Sequence, residues 1–260
     1  MKATLSASGE TAMGNSEYIL LLKQGKQQWN HWRTNNPDRD LDLRKAKLDG
    51  INANGVYLDG ANLCCASLSR ANLKAVNLQN ANLSYTLLCR AFLANASLIF
   101  ADLDCANLGH SFLNDSDFSG ANLQNAFLND SFICRASLRN ADLSNAYLVR
   151  AKLTDADLTG SCLVGANFFG AVLKRANLAK ANLNGSDLRN ANLIGANLQD
   201  ANLSNTRVEN ARFGDNQGIS QYMRLNLIER GAIFEDCSSE QATHTTSTSD
   251  RSQLKVLVSV

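Results

Sequence analysis

Histidines, the side chains most often used in acid–base and metal chemistry, number three in this chain and lie far apart. His31, His110 and His244 stand in three different regions, and none has cysteines or carboxylates at a metal-ligand spacing. The paired aspartates of residues 102–104 and 155–157 resemble an acid pair, but aspartate is a usual residue before the recurring leucine described below. Phosphate-binding, dinucleotide-binding, serine-hydrolase and zinc-protease motifs are all missing. The sequence predicts a protein that is not an enzyme, with no catalytic residue, no metal site and no cofactor.

The seven cysteines are the remaining candidates for chemistry. Their number is odd and no C-x-x-C pair occurs, so they fit neither a zinc site nor the disulfide framework of a secreted domain. The adjacent Cys64 and Cys65 have poor geometry for a disulfide. We interpret the cysteines as reduced thiols with a structural or incidental role.

Charge and hydropathy narrow the classes of partner. Lys and Arg number 25 against 24 Asp and Glu, so no overall field draws the protein to nucleic acid or to anionic lipid. No apolar run approaches the roughly 20 residues that cross a bilayer, and the run of residues 18–22 is too short for a signal peptide. We expect a cytoplasmic protein with no membrane span and no nucleic-acid partner.

One five-residue pattern organises most of the chain. Counting in steps of five from Leu43 to Phe213 gives 35 consecutive pentapeptides in one frame, and leucine is the central residue of 29. Two positions before each centre stands alanine in 24 pentapeptides and Ser, Thr, Val, Leu or Ile in the rest, and the other three positions are mostly polar. This pattern is the feature that any predicted fold has to accommodate.

Neither a helix nor a flat sheet accommodates a period of five. In an α-helix, a step of five residues turns about 140° around the axis and scatters the leucines over every face. In a straight strand, leucines at odd spacing would alternate between the two sides of the sheet. The pattern therefore predicts a solenoid in which the chain bends once per pentapeptide and turns leucine and alanine to one axis.

The stretch "ANLCC ASLSR ANLKA VNLQN ANLSY" resembles the A(D/N)LXX signature of the pentapeptide-repeat proteins, and the resemblance runs over residues 41–213. The flanks resemble those of cyanobacterial members. The resemblance implies an all-β solenoid, a right-handed quadrilateral parallel β-helix with four pentapeptides per coil and about nine coils. Residues 20 apart should then stack in columns, and one such column alternates in charge: Asp115, Arg135, Asp155 and Arg175.

Both ends of the repeat carry segments with helical patterns. Residues 16–37 are predicted to form an N-terminal capping helix, with a partner-binding amphipathic helix as the alternative. Residues 214–236 are predicted to form a short capping helix, N-capped by Ser220, and a segment that returns to the last coil. Residues 1–15 and 237–260 are predicted to be disordered. The apolar stripe of the first helix is Tyr18, Leu21, Leu22, Trp29 and Trp32, and that of the second is Tyr222, Met223, Leu225 and Ile228.

Departures from the polar residue that precedes each central leucine give the only functional signal. Large or branched apolar residues replace it at eight positions, and seven of the eight fall in two neighbouring columns out of four. At the corner between those columns run Arg70, Arg90, His110, Asp130 and Arg150. The eight positions are Tyr57, Leu87, Phe92, Phe112, Phe127, Phe132, Tyr147 and Val172.

These departures predict an interaction face. Aromatic residues with arginine are typical of protein interface centres, and an exposed apolar patch usually marks a binding surface. Two other interpretations stay open: rings that only stabilise neighbouring coils, and a ladder on which bases stack. The predicted face comprises Leu87, Phe92, Phe112, Phe127, Phe132, Tyr147, Val172, Arg70, Arg90 and Arg150.

We therefore expect a non-enzymatic rod that presents an aromatic and basic face to an unknown protein partner or to a second copy of itself. The alternative, which some members of the resembled family suggest, is a mimic of B-form DNA that binds a type II topoisomerase. Such mimicry requires a strongly acidic surface. Residues 41–213 carry 14 acidic against 16 basic side chains, a net charge of +2, which disfavours this alternative.

Overall fold

The structure is a computed structural model, and it describes residues 15–235. Its main body is a stack of coils joined by parallel β-bridges, each between residues 20 apart, from Asp42–Asn62 to Asn197–Gln217. Since each pentapeptide supplies one bridging residue, one coil contains four pentapeptides and has four sides. The residues of one column therefore lie directly above one another, as the pattern of the sequence requires.

Each corner of a coil is a tight turn that follows the central residue. The turn after Leu43 is closed by a 3.1 Å hydrogen bond from the Ala46 amide to the Leu43 carbonyl. Its third residue, Lys45, has φ 57°, as in type II turns. Glycine, asparagine and aspartate often occupy this corner because they adopt positive φ at low cost. The corner side chain points away from the axis, so even arginine is accommodated there.

The interior holds the central residue and the small residue two positions before it. Leu63, Ala66 and Leu68 are fully buried, while the residues between them are half-exposed or exposed. Backbone hydrogen bonds run between coils along every side, for example from the Leu63 amide to the Asn82 carbonyl at 2.7 Å. Every coil thus gains both apolar burial and backbone pairing from its neighbours, and the end coils lack one neighbour.

The N-terminal segment forms two helices, α1 (Asn15–Lys23) and α2 (Lys26–Asn35), where one helix is predicted from the sequence. Gly25 separates them with φ 101° and ψ 177°, a conformation that glycine adopts readily. The predicted apolar stripe nevertheless lies against the first coil: Tyr18, Leu22 and Trp29 are buried, and Leu21 and Trp32 are half-buried beside them.

Polar contacts from α2 satisfy the exposed edge of the first coil. The Asn30 side chain donates to the Gly55 carbonyl at 2.9 Å and accepts from the Tyr57 amide at 3.0 Å. The Trp29 indole donates to the Tyr57 carbonyl at 2.6 Å. The Asn30 amide group thereby takes the place of the peptide group that a preceding coil would present.

The C-terminal end closes with β1 (Arg212–Phe213), α3 (Gln221–Glu229) and β2 (Ile233–Phe234). β2 pairs with β1 in parallel, with Ile233 beside Arg212 and Phe234 beside Phe213. Ser220 is the N-cap of α3, as predicted, since its hydroxyl accepts from the Met223 amide at 3.2 Å.

The predicted apolar stripe of α3 is wrong. Leu227 is the fully buried residue of this helix, Met223 is half-buried, and Tyr222, Leu225 and Ile228 are exposed, Tyr222 by 82%. The Arg230 side chain, just after the helix, donates to the Thr206 carbonyl and to Thr206 Oγ1. These contacts at the end of α3 orient it so that Leu227 faces the coil, which the apolar pattern of the helix alone does not indicate.

The predicted disordered segments, residues 1–15 and 237–260, lie outside the described residues except for Asn15, which begins α1. Among the helices of residues 15–235, none combines the length and apolar composition needed to cross a membrane.

We expect the free energy of unfolding to decrease in acid. The guanidinium groups of Arg135, Arg150 and Arg175 hydrogen-bond the aspartate one coil earlier and lower the pKa of Asp115, Asp130 and Asp155. Arg44 lowers the pKa of Asp42 to about 2. An aspartate in the unfolded chain has a pKa of about 3.9. When folding lowers this pKa, the carboxylate stabilises the fold at any pH above about 3.9, and the stabilisation is lost as pH falls through the pKa of the folded state.

The urea midpoint should therefore fall between about pH 4 and about pH 2. In a variant with Arg135, Arg150 and Arg175 replaced by glutamine, the midpoint at neutral pH should be slightly lower and the fall in acid smaller by the same small amount, because exposed pairs contribute little. A midpoint that stays constant or rises in acid would contradict the assignment.

Candidate interaction surface

Three phenylalanines form a continuous ladder on one side of the rod. Phe92, Phe112 and Phe132 are joined by parallel bridges in consecutive coils. Their ring centroids are 5.0 and 5.1 Å apart, with interplanar angles of 5° and 4°. Each ring keeps between 37% and 39% of its surface exposed. The ladder is therefore an ordered apolar stripe that a partner can reach.

A second ladder lies on the adjoining side of the coil. Phe127 and Tyr147 stack with centroids 5.0 Å apart and planes 5° apart, and both are more than 40% exposed. Leu87 lies two coils earlier in the same column and is also exposed, with Asn107 between it and Phe127. We name the two columns together the aromatic face, comprising Phe92, Phe112, Phe132, Leu87, Phe127 and Tyr147.

A basic corner separates the two ladders. Arg70, Arg90 and His110 occupy successive corner positions with φ between 57° and 59°, and all three side chains are exposed. The corner amides bond to the next coil, as Arg70 does to the Cys89 carbonyl at 2.9 Å. Within residues 15–235, neither Arg70 nor Arg90 forms an ion pair.

Other arginines of the rod, unlike Arg70 and Arg90, form ion pairs with aspartates of the neighbouring coil. Arg150, further along the same corner, forms two hydrogen bonds of 2.8 and 2.7 Å with Asp130. On the next corner, Arg135 and Arg175 pair in the same way with Asp115 and Asp155, so the predicted column of alternating charge contains two ion pairs. Arg70 and Arg90 therefore differ from Arg150 in having no carboxylate hydrogen-bonded to their guanidinium groups among residues 15–235.

The basic corner and the first ladder border one shallow depression. It measures about 420 Å³ and is lined by Arg70, Arg90, His110, Phe92, Phe112 and Phe132. A second depression of about 670 Å³ continues past the corner over Asp49, Ser69 and Cys89. The Lys74 ammonium lies 5.8 Å from the centroid of the Phe92 ring and adds a cation beside the ladder.

The predicted interaction residues separate into two groups in the structure. Phe92, Phe112 and Phe132 border one depression together with Arg70 and Arg90, and Leu87, Phe127 and Tyr147 lie in the adjoining column. Val172 is half-buried and is cut off from Phe132 by Lys152, the residue that bridges to both. Arg150 is engaged with Asp130. Tyr57 lies in another column, against α2.

The sequence pattern missed exposed aromatic residues at the corners. Phe100 is 67% exposed and lies over Gly120, where its ring occupies the space that a side chain would take. Tyr85 and Phe169 are also exposed, and the Arg189 guanidinium lies 5.6 Å from the Phe169 ring centroid. The prediction considered only the position before each leucine, whereas the corner position is equally open to solvent.

The aromatic face and the basic corner form an open surface. Its charged groups lie on exposed corners rather than in an enclosed cleft, where general acids and bases are usually tuned. Among residues 15–235, no three side chains of His, Cys, Asp or Glu cluster at a metal-binding distance. Stacked rings beside unpaired guanidinium groups suit contacts with another macromolecule.

A family model described as pentapeptide repeats matches the chain in eight copies. The matches extend over residues 42–80, 77–115, 101–140, 116–155, 134–170 and 171–210, which is more than half of the 260 residues. This match implies a right-handed quadrilateral β-helix, in agreement with the four-sided coil of 20 residues. A search of the curated proteins finds no significant match.

Several solved structures are similar to this chain. Rfr23, a pentapeptide repeat protein from the cyanobacterium Cyanothece 51142, is 39% identical over 33% of this chain and 58% of its own, with a TM-score of 0.33. HetL is a pentapeptide repeat protein involved in heterocyst differentiation regulation in Nostoc sp. strain PCC 7120. It is 28% identical over 70% of this chain and 94% of its own, with a TM-score of 0.30. A trypsin-treated QnrB1, a plasmid-mediated fluoroquinolone resistance protein, is 20% identical over 74% of this chain and 95% of its own, with a TM-score of 0.37.

Proposed function

Because the chain belongs to the pentapeptide-repeat family, whose members are structural repeat modules, we propose that it is a non-enzymatic interaction protein. Its rod presents the aromatic face and the basic corner to a protein partner or to a second copy of the chain. We further propose that the rod has about nine coils and that α1, α2 and α3 cap its ends, which keeps the end coils from pairing with other chains.

The exposure of the Phe92–Phe112–Phe132 ladder carries this proposal. Stacking between coils already gives the rings part of their burial, yet more than a third of each ring still faces water. Covering the rings would remove further apolar surface from water, at about 25 cal/mol per Å². A rod stabilised by its leucine core and its coil-to-coil hydrogen bonds has no need of an exposed ladder, so a role in binding explains it better.

The basic corner indicates the chemistry of the partner. Arginine pairs with carboxylate through two parallel hydrogen bonds, and Arg150 and Arg175 already do so within the rod. Arg70 and Arg90 have no ion pair with any residue of the described part of the chain and can make the same contact with a bound molecule. We infer a partner surface that combines apolar side chains, placed over the ladder, with carboxylates placed over the corner.

A photo-cross-linking experiment tests where the partner binds. Benzoylphenylalanine is introduced at Phe112 or Phe127 in cells that express the protein, and the cross-linked products are identified by mass spectrometry. Because the side chain replaced is itself aromatic and exposed, the fold should not change. We expect the same cross-linked protein, or a cross-linked dimer, from both positions.

The matched control is the same probe at Asn122, which lies on the wall opposite Phe112 and bridges Asp102 and Asp142. This position should give no cross-link. Equal products from Asn122 and Phe112, or products from Asn122 alone, would show that the aromatic face is not the binding surface.

Mimicry of DNA for a type II topoisomerase is the less favoured alternative. Many of the rod's aspartates are offset by arginine on the rod itself, as in the pairs of Asp115, Asp130, Asp155 and Asp157. The repeat region also carries two more basic than acidic side chains, 16 against 14. Neither feature provides the continuous negative surface that would resemble a nucleic-acid backbone.

A further inference from the structure

Two thiols lie side by side at the corner of the rod that precedes Ser67, the residue that bridges Leu87 in the next coil. Cys64 and Cys65 are the two turn residues after the buried Leu63, and their Sγ atoms are 3.4 Å apart. Cys65 is exposed and Cys64 is half-buried. Both thiols are therefore adjacent and within reach of a small molecule.

The backbone holds this pair from both sides. The Cys65 amide donates to the Ser84 carbonyl of the next coil at 3.0 Å, and the Cys64 carbonyl accepts from the Lys45 amide of the preceding coil at 3.0 Å. The Cys64 amide also donates to Asn62 Oδ1 at 3.2 Å. Cys65 is fixed at φ 61°. The backbone of this turn is therefore anchored to two neighbouring coils, and the two Cα atoms are held in place relative to each other.

This geometry is unfavourable for a direct disulfide. The peptide bond between the two cysteines is trans, so their Cα atoms are about 3.8 Å apart. Disulfides usually need Cα separations of about 4.4 to 6.8 Å. A bond between the two sulfurs would therefore strain the turn, whereas an atom that bridges them would not require the sulfurs to approach.

The thiols also do not resemble a redox or catalytic cysteine. The hydrogen bond with Cys64 raises the pKa of the Cys65 thiol. Reactive cysteines of oxidoreductases have the opposite property, a lowered pKa that maintains the thiolate. Two thiols at contact distance suit a reagent that condenses with both and releases water.

We propose that Cys64 and Cys65 form a chelating dithiol site for a soft, trivalent centre of the arsenical class. If the bonds to the two sulfurs are about 2.3 Å long, as in zinc thiolates, the 3.4 Å separation gives an angle of about 95° at the bridging atom. That angle is close to the pyramidal geometry of trivalent arsenic. It is far from the linear geometry in which two thiolates hold monovalent copper, and thiolates are the ligands that soft ions prefer.

The binding reaction is a condensation without change of oxidation state. With phenylarsine oxide as the probe, the two S–H bonds and the As=O bond break, two As–S bonds form, and one water molecule leaves with both thiol protons. Arsenic stays trivalent and no oxidant or reductant is consumed. The second As–S bond closes within one molecule, so its effective concentration stabilises the adduct.

Phenylarsine oxide binding to the reduced full-length protein tests the proposal. We expect one phenylarsenic group bridging Cys64 and Cys65, located by peptide mass spectrometry, together with the loss of two thiols that react with Ellman's reagent. Because both As–S bonds of the chelate must break before the group leaves, excess glutathione should remove it about 100-fold more slowly than from a single thiol. Dithiothreitol, itself a dithiol, should remove it readily.

Single substitutions provide the controls. Cys64→Ser and Cys65→Ser each leave one thiol of the pair. Glutathione should therefore remove the phenylarsenic group rapidly from both variants. Cys134→Ser, which removes another half-exposed thiol, should retain the slow release. The proposal is overturned if the wild-type adduct is released as fast as that of either single variant, if the adduct maps to other cysteines, or if Cys64→Ser still releases slowly.

Discussion

Replacing Phe112 and Phe132 together by aspartate should abolish binding of the partner while leaving the fold intact. The two rings are the centre and one end of the exposed ladder, 5.1 Å apart. Aspartate removes both apolar contacts and places two carboxylates where a partner has to exclude water. Since interface hot spots contribute about 2 kcal/mol or more each, we expect affinity to fall by at least about 100-fold.

The rod should tolerate these changes because aspartate is native at equivalent positions. Asp102 and Asp142 occupy the same place in their pentapeptides and form the same parallel bridges. The loss is measured on the cross-linked partner with purified proteins, or by sedimentation equilibrium if the partner is a second copy. Circular dichroism and the urea midpoint report whether the fold survives.

Phe100→Asp is the matched control for this double substitution. Phe100 is the most exposed phenylalanine of the described region, at 67%, but it lies on a different corner of the rod. The Phe100→Asp variant should bind the partner with the same affinity as the wild type. If the double variant binds with unchanged affinity, or if Phe100→Asp is equally impaired, the aromatic face is not the interface.

Arginine at Ala141 should destabilise the rod more than any surface change. Ala141 is 1% exposed and faces the axis, where its carbonyl accepts from the Cys162 amide of the next coil at 3.0 Å. An arginine there would place an unpaired charge among leucines or force the chain out of the coil. An uncompensated buried charge costs about 3 to 5 kcal/mol, so we expect the free energy of unfolding to fall by at least about 3 kcal/mol.

The neighbouring Asn140→Arg change separates the effect of the site from that of the residue type. Asn140 is an exposed corner residue with φ 54°, and arginine already adopts that conformation at Arg90 and Arg150. Urea unfolding should place this control within about 0.5 kcal/mol of the wild type. Equal midpoints for Ala141→Arg and Asn140→Arg would show that the alanine position does not face a closed core.

The effect of Ala141→Arg should spread beyond one pentapeptide. In a solenoid, each coil is stabilised mainly by its two neighbours, so a disrupted coil also weakens the coils above and below it. Hydrogen exchange should detect faster exchange at the amides of residues 121–162 than near the ends of the rod. Exchange that rises at both ends instead would place the disruption elsewhere.

The core of the rod could be predicted from the sequence because the pattern repeats. The central residues and the small residues before them are buried where the period of five places them, from Leu43 to Phe213. The ladder of Phe92, Phe112 and Phe132 also follows from spacing, since residues 20 apart bridge each other. Because every pentapeptide has the same pattern, the position of one in the coil determines the position of the next, and the predicted register does not drift along the chain.

The ends were predicted less well because they do not repeat. Gly25 divides the predicted single N-terminal helix in two, although the apolar stripe crosses the break without interruption. In α3, the exposed Tyr222, Leu225 and Ile228 outnumber the buried Leu227, so hydrophobicity indicates the wrong side. At both ends, contacts with a single coil decide the orientation, and no periodic pattern records them.

The sequence by itself determined which side chains face the axis, which face water, and which columns carry aromatic residues. Only the tertiary structure decided how the side chains on the outer wall meet one another. Among residues 15–235 it paired Arg150 with Asp130 and formed no ion pair at Arg70 or Arg90, and it brought the Cys64 and Cys65 thiols to 3.4 Å. The physical reason is that the direction of a side chain relative to the axis follows from backbone periodicity. Contacts on the wall depend instead on the height of a coil, the corner angle and the rotamer of each side chain.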